Sequence, residues 1–189
     1  MMRSVTAVAA AVLVSLAAGG CGSPGGTHAR VMQCPARALV LRPGTPVAPM
    51  TGEHAVMYAL ANRGPVTCTV HGYPQAVLYD ANGDVLPFRY ATGGGAYVTS
   101  GKPVTVVLTR GASAYVLVAK YRCDLGIAGN ATAIRLTLPA AHGVFAQREA
   151  VGISGAAGLS YCRGGQHDPG QLVTVSPVEP TAQAAGSLR

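Results

Sequence analysis

Serines and histidines in the last third of the chain have the residue types that a hydrolase needs. Ser154 lies in a Gly-x-Ser-Gly segment that approaches the nucleophile elbow of serine hydrolases. Ala156 occupies the place of the second glycine, and no strand-to-helix turn is predicted there. A hydrolase would need Ser154 or Ser160 within hydrogen-bond reach of a histidine, and His142 and His167 are the candidates. We keep such an enzyme as an alternative and assign no catalytic residue.

Two turns resemble ligand-binding loops but lack residues that those loops require. Asp80, Asn82 and Asp84 alternate as the oxygen ligands of a calcium loop do, yet no glutamate closes the loop. The Asn-Gly pair between them is typical of a tight hairpin. Residues 95–102 have the outline of a phosphate loop, but the spacing of the glycines is one residue too long and Pro103 follows. The sequence therefore predicts no metal site and no cofactor.

The five cysteines give a clearer prediction than these turns do. Cys21 stands apart from the other four, which are Cys34, Cys68, Cys123 and Cys162. These four are scattered, and no Cys-x-x-Cys pair indicates zinc. An even number of cysteines in a secreted chain indicates disulfides, and four allow three connectivities. We expect Cys34–Cys68 and Cys123–Cys162, because each ring then stays within one half of the domain.

The first thirty residues predict the compartment. Arg3 precedes an apolar run from Val5 to Ala18, and small residues lead into Cys21. The run is typical of a secretory signal peptide and is too short to span a bilayer. Small residues before a cysteine resemble the lipobox of bacterial lipoproteins, with Ala18 where leucine is usual. We expect residues 1–20 to be a lipoprotein signal peptide, Cys21 to be lipidated, and residues 21–30 to be a flexible tether.

The net charge of the chain indicates which classes of partner it could bind. The formal net charge is +7, and the cations are dispersed along the chain. A positive excess favours anionic surroundings such as phospholipid head groups or wall polymers. Nucleic acid is not expected, because basic runs interleaved with aromatic residues are missing. We expect a membrane, held through the lipid anchor, and an envelope protein or anionic polymer as partners. A basic surface without a dedicated partner is the simpler alternative.

Short segments in which the side-chain type alternates predict the strands that position the candidate residues. His54 to Asn62 alternates large and small apolar residues, which predicts a strand packed closely on both faces. Cys68 is in phase with Val66 and Val70, so its sulfur is expected to point into a core. About nine such segments lie between turn signals, and no helical period persists beyond the signal peptide. The pattern predicts an all-β domain, an antiparallel sandwich.

An ordered set of motifs resembles a known family. The motifs are Asn62–Gly64, Cys68, Gly72-Tyr73-Pro74, Leu-x-x-Gly-x-x-Ala at Leu108–Ala114, Cys123, Leu136–Pro139, Cys162 and Val175-Ser176-Pro177. In this order they resemble the domain of unknown function forty-two thirty-two, a family of actinobacterial secreted and lipid-anchored proteins. The resemblance runs from about Cys34 to Pro177 and implies an immunoglobulin-like β-sandwich on the cell surface, without an established activity. We place the sandwich domain at residues 31–178 and a disordered tail at 179–189.

The connection from Arg89 to Lys102 is the predicted binding loop. It has no evident strand pattern, and it combines tyrosine, serine, threonine and glycine with a cation at each end. Binding loops on sandwiches use this mixture. Tyr90 and Tyr97 would anchor a partner, while Arg89 and Lys102 would attract an anionic one. A mobile connector is the alternative, because three consecutive glycines favour flexibility.

The predicted function is that of a lipid-anchored, extracytoplasmic envelope protein whose domain binds a partner without catalysis. The alternatives are the hydrolase and a passive structural component of the envelope.

Overall fold

The computed structural model describes residues 31–47, 52–95, 97–139, 144–148 and 158–186, with the backbone alone for 144–148. The predicted signal peptide, Cys21 and the tether lie outside these residues. So do two members of the proposed hydrolase pairs, Ser154 and His142.

Thirteen strands are present in the described residues. They are β1 (Leu39–Leu41), β2 (Thr45–Val47), β3 (Glu53–Asn62), β4 (Cys68–Val70), β5 (Gln75–Tyr79), β6 (Arg89–Thr92), β7 (Val106–Leu108), β8 (Ser113–Tyr121), β9 (Ile127–Asn130), β10 (Ala133–Thr137), β11 (Val144–Arg148), β12 (Ser160–Cys162) and β13 (Leu172–Val175). Three 3-10 turns (Ala36–Ala38, Gly165–His167 and Pro169–Gln171) and one short helix, α1 (Ala182–Ala185), complete the set. The all-β prediction is confirmed. The strand number exceeds the predicted nine because several strands have only three residues, too few to show alternation.

The larger layer is a mixed sheet with the order β1-β3-β8-β13-β6, and β2 also pairs with β3. At its centre, β3 and β8 are antiparallel from Glu53↔Tyr121 to Ala61↔Ser113. At one edge, β6 pairs with β13 in parallel, from Leu172↔Arg89 to Val175↔Thr92. This pair is an exception to the predicted antiparallel arrangement. It arises because β6 and β13 are far apart in the chain, so no hairpin sets their relative direction.

The second layer closes the sandwich over one apolar core. It consists of a sheet with the order β11-β10-β5 and of two pairs, β4-β7 and β9-β12. Tyr58 and Leu60 from β3 share a fully buried cluster with Leu78 of β5 and Ile134 and Leu136 of β10. Alternation places every second residue of these strands on the same face, which is why the sequence pattern located this core.

The other face of β3 is covered by the end of the chain. Ala55 and Met57 pack with Leu117, Val98 and Ala185, the last of which belongs to α1. The predicted close packing on both faces of β3 is therefore confirmed.

The predicted disordered tail is wrong for residues 179–186. Glu179 exchanges two backbone hydrogen bonds with Tyr115, at 2.8 and 2.9 Å. Thr181 caps α1 by accepting a hydrogen bond from the Ala184 N–H at 3.1 Å. A four-residue helix is too short to show a helical period in the sequence, and the apolar cover that it finds on β3 and β8 orders it.

Both disulfides form with the predicted pairing, Cys34–Cys68 and Cys123–Cys162. Cys68 and Val70 point into the core as expected, but Val66 is 60% exposed. The strand begins only at Cys68, because the segment before it is a turn held by Asn62. The Asn62 side-chain amide donates to the carbonyls of Val66 and Leu108, each at 2.9 Å.

Candidate binding groove

A groove of about 350 Å³ lies where the edges of the two layers meet. Its walls are β5 and β6, each the last strand of its sheet. The lining residues are Tyr73 to Val77, Tyr90 to Thr92, and Val175 of β13. This volume is at the lower end of the range for ligand sites, so it can hold a few side chains but not a large cofactor.

Tyr90 reaches from one layer to the other. It projects from β6, and its hydroxyl accepts a hydrogen bond from the Leu78 N–H of β5 at 3.0 Å. Its ring meets the edge of Phe88 at a centroid distance of 6.4 Å. Burial raises the pKa of the Tyr90 phenol above its usual value, although the bond from Leu78 opposes this. The ring is thus fixed as a neutral side chain at the groove, with 37% of its surface exposed.

Tyr73 lies at the other side of the groove, directly after a turn that requires glycine. Gly72 has φ of +100°, and a Cβ at that position would lie 2.6 Å from Pro139 Cγ. The Tyr73 hydroxyl donates to the Gly101 carbonyl at 3.0 Å and so holds the loop that follows β6. The same loop closes tightly at Gly93 (φ +66°), where a Cβ would lie 2.8 Å from Ser100 Cα.

The edge of β6 offers unpaired backbone groups to the groove. The Gly93 N–H donates to the Val175 carbonyl of β13 at 2.7 Å, so Ala91, two residues earlier, also turns its backbone toward β13. The backbone N–H and C=O of Tyr90 and Thr92 must then point outward. In the described part of the chain, no other backbone group meets them.

The edge of β5 that faces the groove is partly occupied. Leu78 uses its N–H for Tyr90 and its C=O for the Leu86 N–H at 2.9 Å, so both groups point away from β10. Ala76, two residues earlier on β5, has the same orientation and lines the groove. On β5, Ala76 therefore keeps outward backbone groups that have no partner among the described residues. Together with those of Tyr90 and Thr92 on β6, they border a common apolar space.

The family model of the domain of unknown function DUF4232 matches residues 34–179. The chain belongs to this family. Searches of curated proteins and of solved structures found no significant match. The matched part of this DUF4232 chain contains both disulfides and every residue that lines the groove. Two motifs that carry the resemblance, Gly72-Tyr73-Pro74 and Val175-Ser176-Pro177, reach the groove through Tyr73, Pro74 and Val175.

The predicted binding loop divides in the structure. Arg89 and Tyr90 belong to β6, so the prediction that this segment contains no strand was wrong. β6 has four residues and pairs with β13, which is distant in the chain, so its sequence shows no clear alternation. Lys102 is exposed, as expected. Tyr97 is only 9% exposed, and its hydroxyl has no hydrogen-bond partner among the described residues. As an exposed anchor it was wrongly predicted, because Val98 beside it packs under α1 and draws this part of the loop inward.

Several groove residues were missed from the sequence. Tyr73, Ala76 and Val175 were assigned to a turn and to core strands. The usable signal was the glycine before Tyr73: a left-handed residue followed by an aromatic residue and proline fixes a ring at a strand end.

Of the serine and histidine candidates, the structure describes Ser160 and His167. The Ser160 hydroxyl donates to the Asn130 side-chain oxygen at 2.8 Å, and that oxygen is not a base. His167 is exposed in a 3-10 turn. Within the described residues, no cluster of three metal-ligating side chains occurs and no helix is long and apolar enough to cross a membrane. The hydrolase stays a prediction.

Proposed function

We propose that this DUF4232 domain is a non-catalytic peptide-binding module, lipid-anchored through Cys21 on the extracytoplasmic face of the cell membrane. Its ligand is an extended segment of an envelope protein, which lies in the groove between β5 and β6. The observation that carries this proposal is the set of outward backbone groups of Ala76, Tyr90 and Thr92, unpartnered in the described part of the chain, beside the fixed rings of Tyr73 and Tyr90. In strand addition, backbone hydrogen bonds supply affinity and alternate side chains supply specificity.

The spacing of the free groups favours a peptide over a polysaccharide or other wall polymer. Tyr90 and Thr92 are two residues apart on one strand, so their outward donors and acceptors repeat every ~7 Å. A second polypeptide strand matches this repeat along its whole length. An open edge also promotes unwanted pairing, and proteins usually cover or charge it. An uncovered edge next to an apolar groove is therefore best explained by a ligand that pairs with it.

Positive residues near the groove indicate a negatively charged ligand. Arg89 is exposed at one end of β6, and Lys102 follows Gly101, the residue whose carbonyl Tyr73 holds. The full chain has a net charge of +7, which favours an acidic segment. Its binding is expected to weaken with added salt, because exposed charges are screened.

Replacing Thr92 with proline tests the strand-addition mode. Proline removes the outward N–H of β6 and leaves the bonds to β13 in place, and edge strands tolerate such a proline. Thr92→Ala is the matched control, because it keeps the N–H. Peptides selected for binding from a displayed library of random heptapeptides should bind Thr92→Pro at least about fivefold more weakly than Thr92→Ala. Both variants should keep the thermal midpoint of the wild type.

Two results would contradict the proposal: a library that yields no binder, or selected peptides that bind Thr92→Pro and Thr92→Ala equally. When selected peptides bind as expected, crosslinking in intact producer cells, followed by capture of the anchored domain, identifies the natural partner. The same Thr92→Pro substitution should remove that partner from the captured material.

The anchor has its own test. Cys21→Ala should move the protein from the membrane fraction to the medium, because the acyl chains that hold it can no longer be attached. Ala18→Leu is the control, since it restores the usual lipobox residue and should leave the protein on the membrane. A Cys21→Ala protein that stays in the membrane fraction would exclude lipidation as the means of attachment.

A further inference from the structure

A buried lysine lies against one of the two disulfides. Lys120 of β8 is 2% exposed, and its Nζ lies 3.6 Å from Cys123 Sγ and 3.7 Å from Cys162 Sγ. The amine also donates to the Tyr121 carbonyl at 2.7 Å. These contacts hold the amine beside both sulfurs, so a charge that forms on either sulfur meets it immediately.

Acidic residues keep this amine cationic at neutral pH. Burial lowers the pKa of Lys120 to about 8, while Asp168 and Glu53 act in the opposite direction. Asp168 is itself buried and accepts hydrogen bonds from the N–H groups of Asp124, Leu125 and Gly170, at 3.2, 3.3 and 2.9 Å. His54 is the register partner of Lys120 on β3 and is a further titratable neighbour. Below pH 8 the amine is mainly an ammonium.

The two disulfides differ in surroundings. Cys162 is fully buried, whereas Cys123 is partly exposed. Cys34 and Cys68 are 2% and 1% exposed, and in the described residues no cationic side chain hydrogen-bonds to their sulfurs. Only Cys123–Cys162 therefore combines an approachable sulfur with a nearby cation.

We propose that Cys123–Cys162 is a thiol-exchange site that reacts with small thiols. The incoming thiolate attacks Cys123 Sγ, a new S–S bond forms there, and the Cys123–Cys162 bond breaks. Its electron pair leaves on Cys162 Sγ as a thiolate, which the Lys120 ammonium stabilises. The product is a mixed disulfide on Cys123, and the Cys162 thiolate can reverse the step by expelling the thiol.

The size of the effect follows from thiol chemistry. A thiolate beside a lysine has its pKa lowered by one to several units, and thiols of lower pKa leave faster. The logarithm of the exchange rate changes by about 0.5 for each unit of the leaving thiol's pKa. Lowering the pKa of the Cys162 thiol by about two units should therefore make exchange about tenfold faster. The acceleration should disappear as Lys120 loses its proton.

Partial reduction by glutathione tests the proposal in the full chain carrying Cys21→Ser, so that the added thiol is the only one present. Exchange at each disulfide is followed by differential alkylation and peptide mapping, and rate constants are expressed per thiolate. At Cys123–Cys162 the constant should fall about tenfold between pH 7 and pH 9.5, and at Cys34–Cys68 it should stay flat. Comparison within one molecule excludes global unfolding as the cause.

Lys120→Met provides the second arm. It should slow exchange at Cys123–Cys162 about tenfold at pH 7, remove the pH dependence, and leave Cys34–Cys68 unchanged. A pH-independent rate constant in the unsubstituted chain would overturn the proposal, whether or not Lys120→Met folds. Equal rates in a folded Lys120→Met protein and in the parent would do the same.

Discussion

Replacing Cys34 and Cys68 together with alanine is expected to lower the free energy of unfolding by about 4 kcal/mol. The bond closes a ring with a sequence separation of 34 residues, and removing it restores the freedom of that ring in the unfolded chain. It also ties the segment before β1 to β4, where Cys34 donates its N–H to the Thr69 carbonyl at 2.9 Å. Both cysteines are core residues, so the lost sulfur contacts add to the effect.

Urea unfolding at pH 7 measures this change. Val66→Ala is the control, because Val66 is two residues from Cys68 but 60% exposed, and it should shift the midpoint very little. A double-alanine variant that loses less than about 1 kcal/mol would show that the unfolded chain is already constrained in this region or that the bond is strained when folded.

Raising the pH from 7 to 10 is expected to stabilise the wild type relative to Lys120→Met by roughly 2–3 kcal/mol. The pKa of Lys120 is lowered from 10.5 to about 8 in the folded protein. Between these values the unfolded chain binds more protons than the folded chain, so the free energy of unfolding rises with pH. Below pH 8 the folded protein carries a buried ammonium, and the penalty for burying it is fully present.

The measurement is urea unfolding of both proteins at several pH values between 7 and 10. Groups other than Lys120 are common to both proteins, so their contributions cancel in the difference. Lys102→Met is the matched control, because it removes an exposed lysine instead of a buried one. A constant difference between wild type and Lys120→Met would mean that the amine stays protonated throughout.

Alternation in the sequence was enough to locate the centre of the fold. β3 places apolar residues at every second position and lies where predicted. β10 alternates in the same way. The disulfide pairing followed from chain order alone. Features that depend on residues distant in the chain were not readable: β6 becomes a strand only because β13 pairs with it. The same holds for α1, whose apolar contacts come from β3 and β8.

The site was only partly predictable for a related reason. Tyr90 and Arg89 were selected by composition, but the groove needs Tyr73 and Val175, which reach it from other parts of the chain. Lys120 was overlooked although it is in phase with Val116 and Val118, which both point into the core. Alternation alone would place Lys120 inward, whereas lysine is usually exposed, and the sequence analysis made no prediction for it. Its burial depends on Asp168 and Glu53, whose proximity no local pattern reveals.

The position of β13 has a consequence for the order in which the protein can be built. This strand lies between β8 and β6, so the larger sheet has a gap until Leu172–Val175 has been synthesised and inserted. Before that point β6 has no strand partner among the described residues, and the partly made chain exposes the strands on both sides of the gap. Pairing across such long separations is slow. A chain that emerges from a membrane pore residue by residue would therefore complete its fold only after nearly all of it has crossed, and until then it would need protection from aggregation.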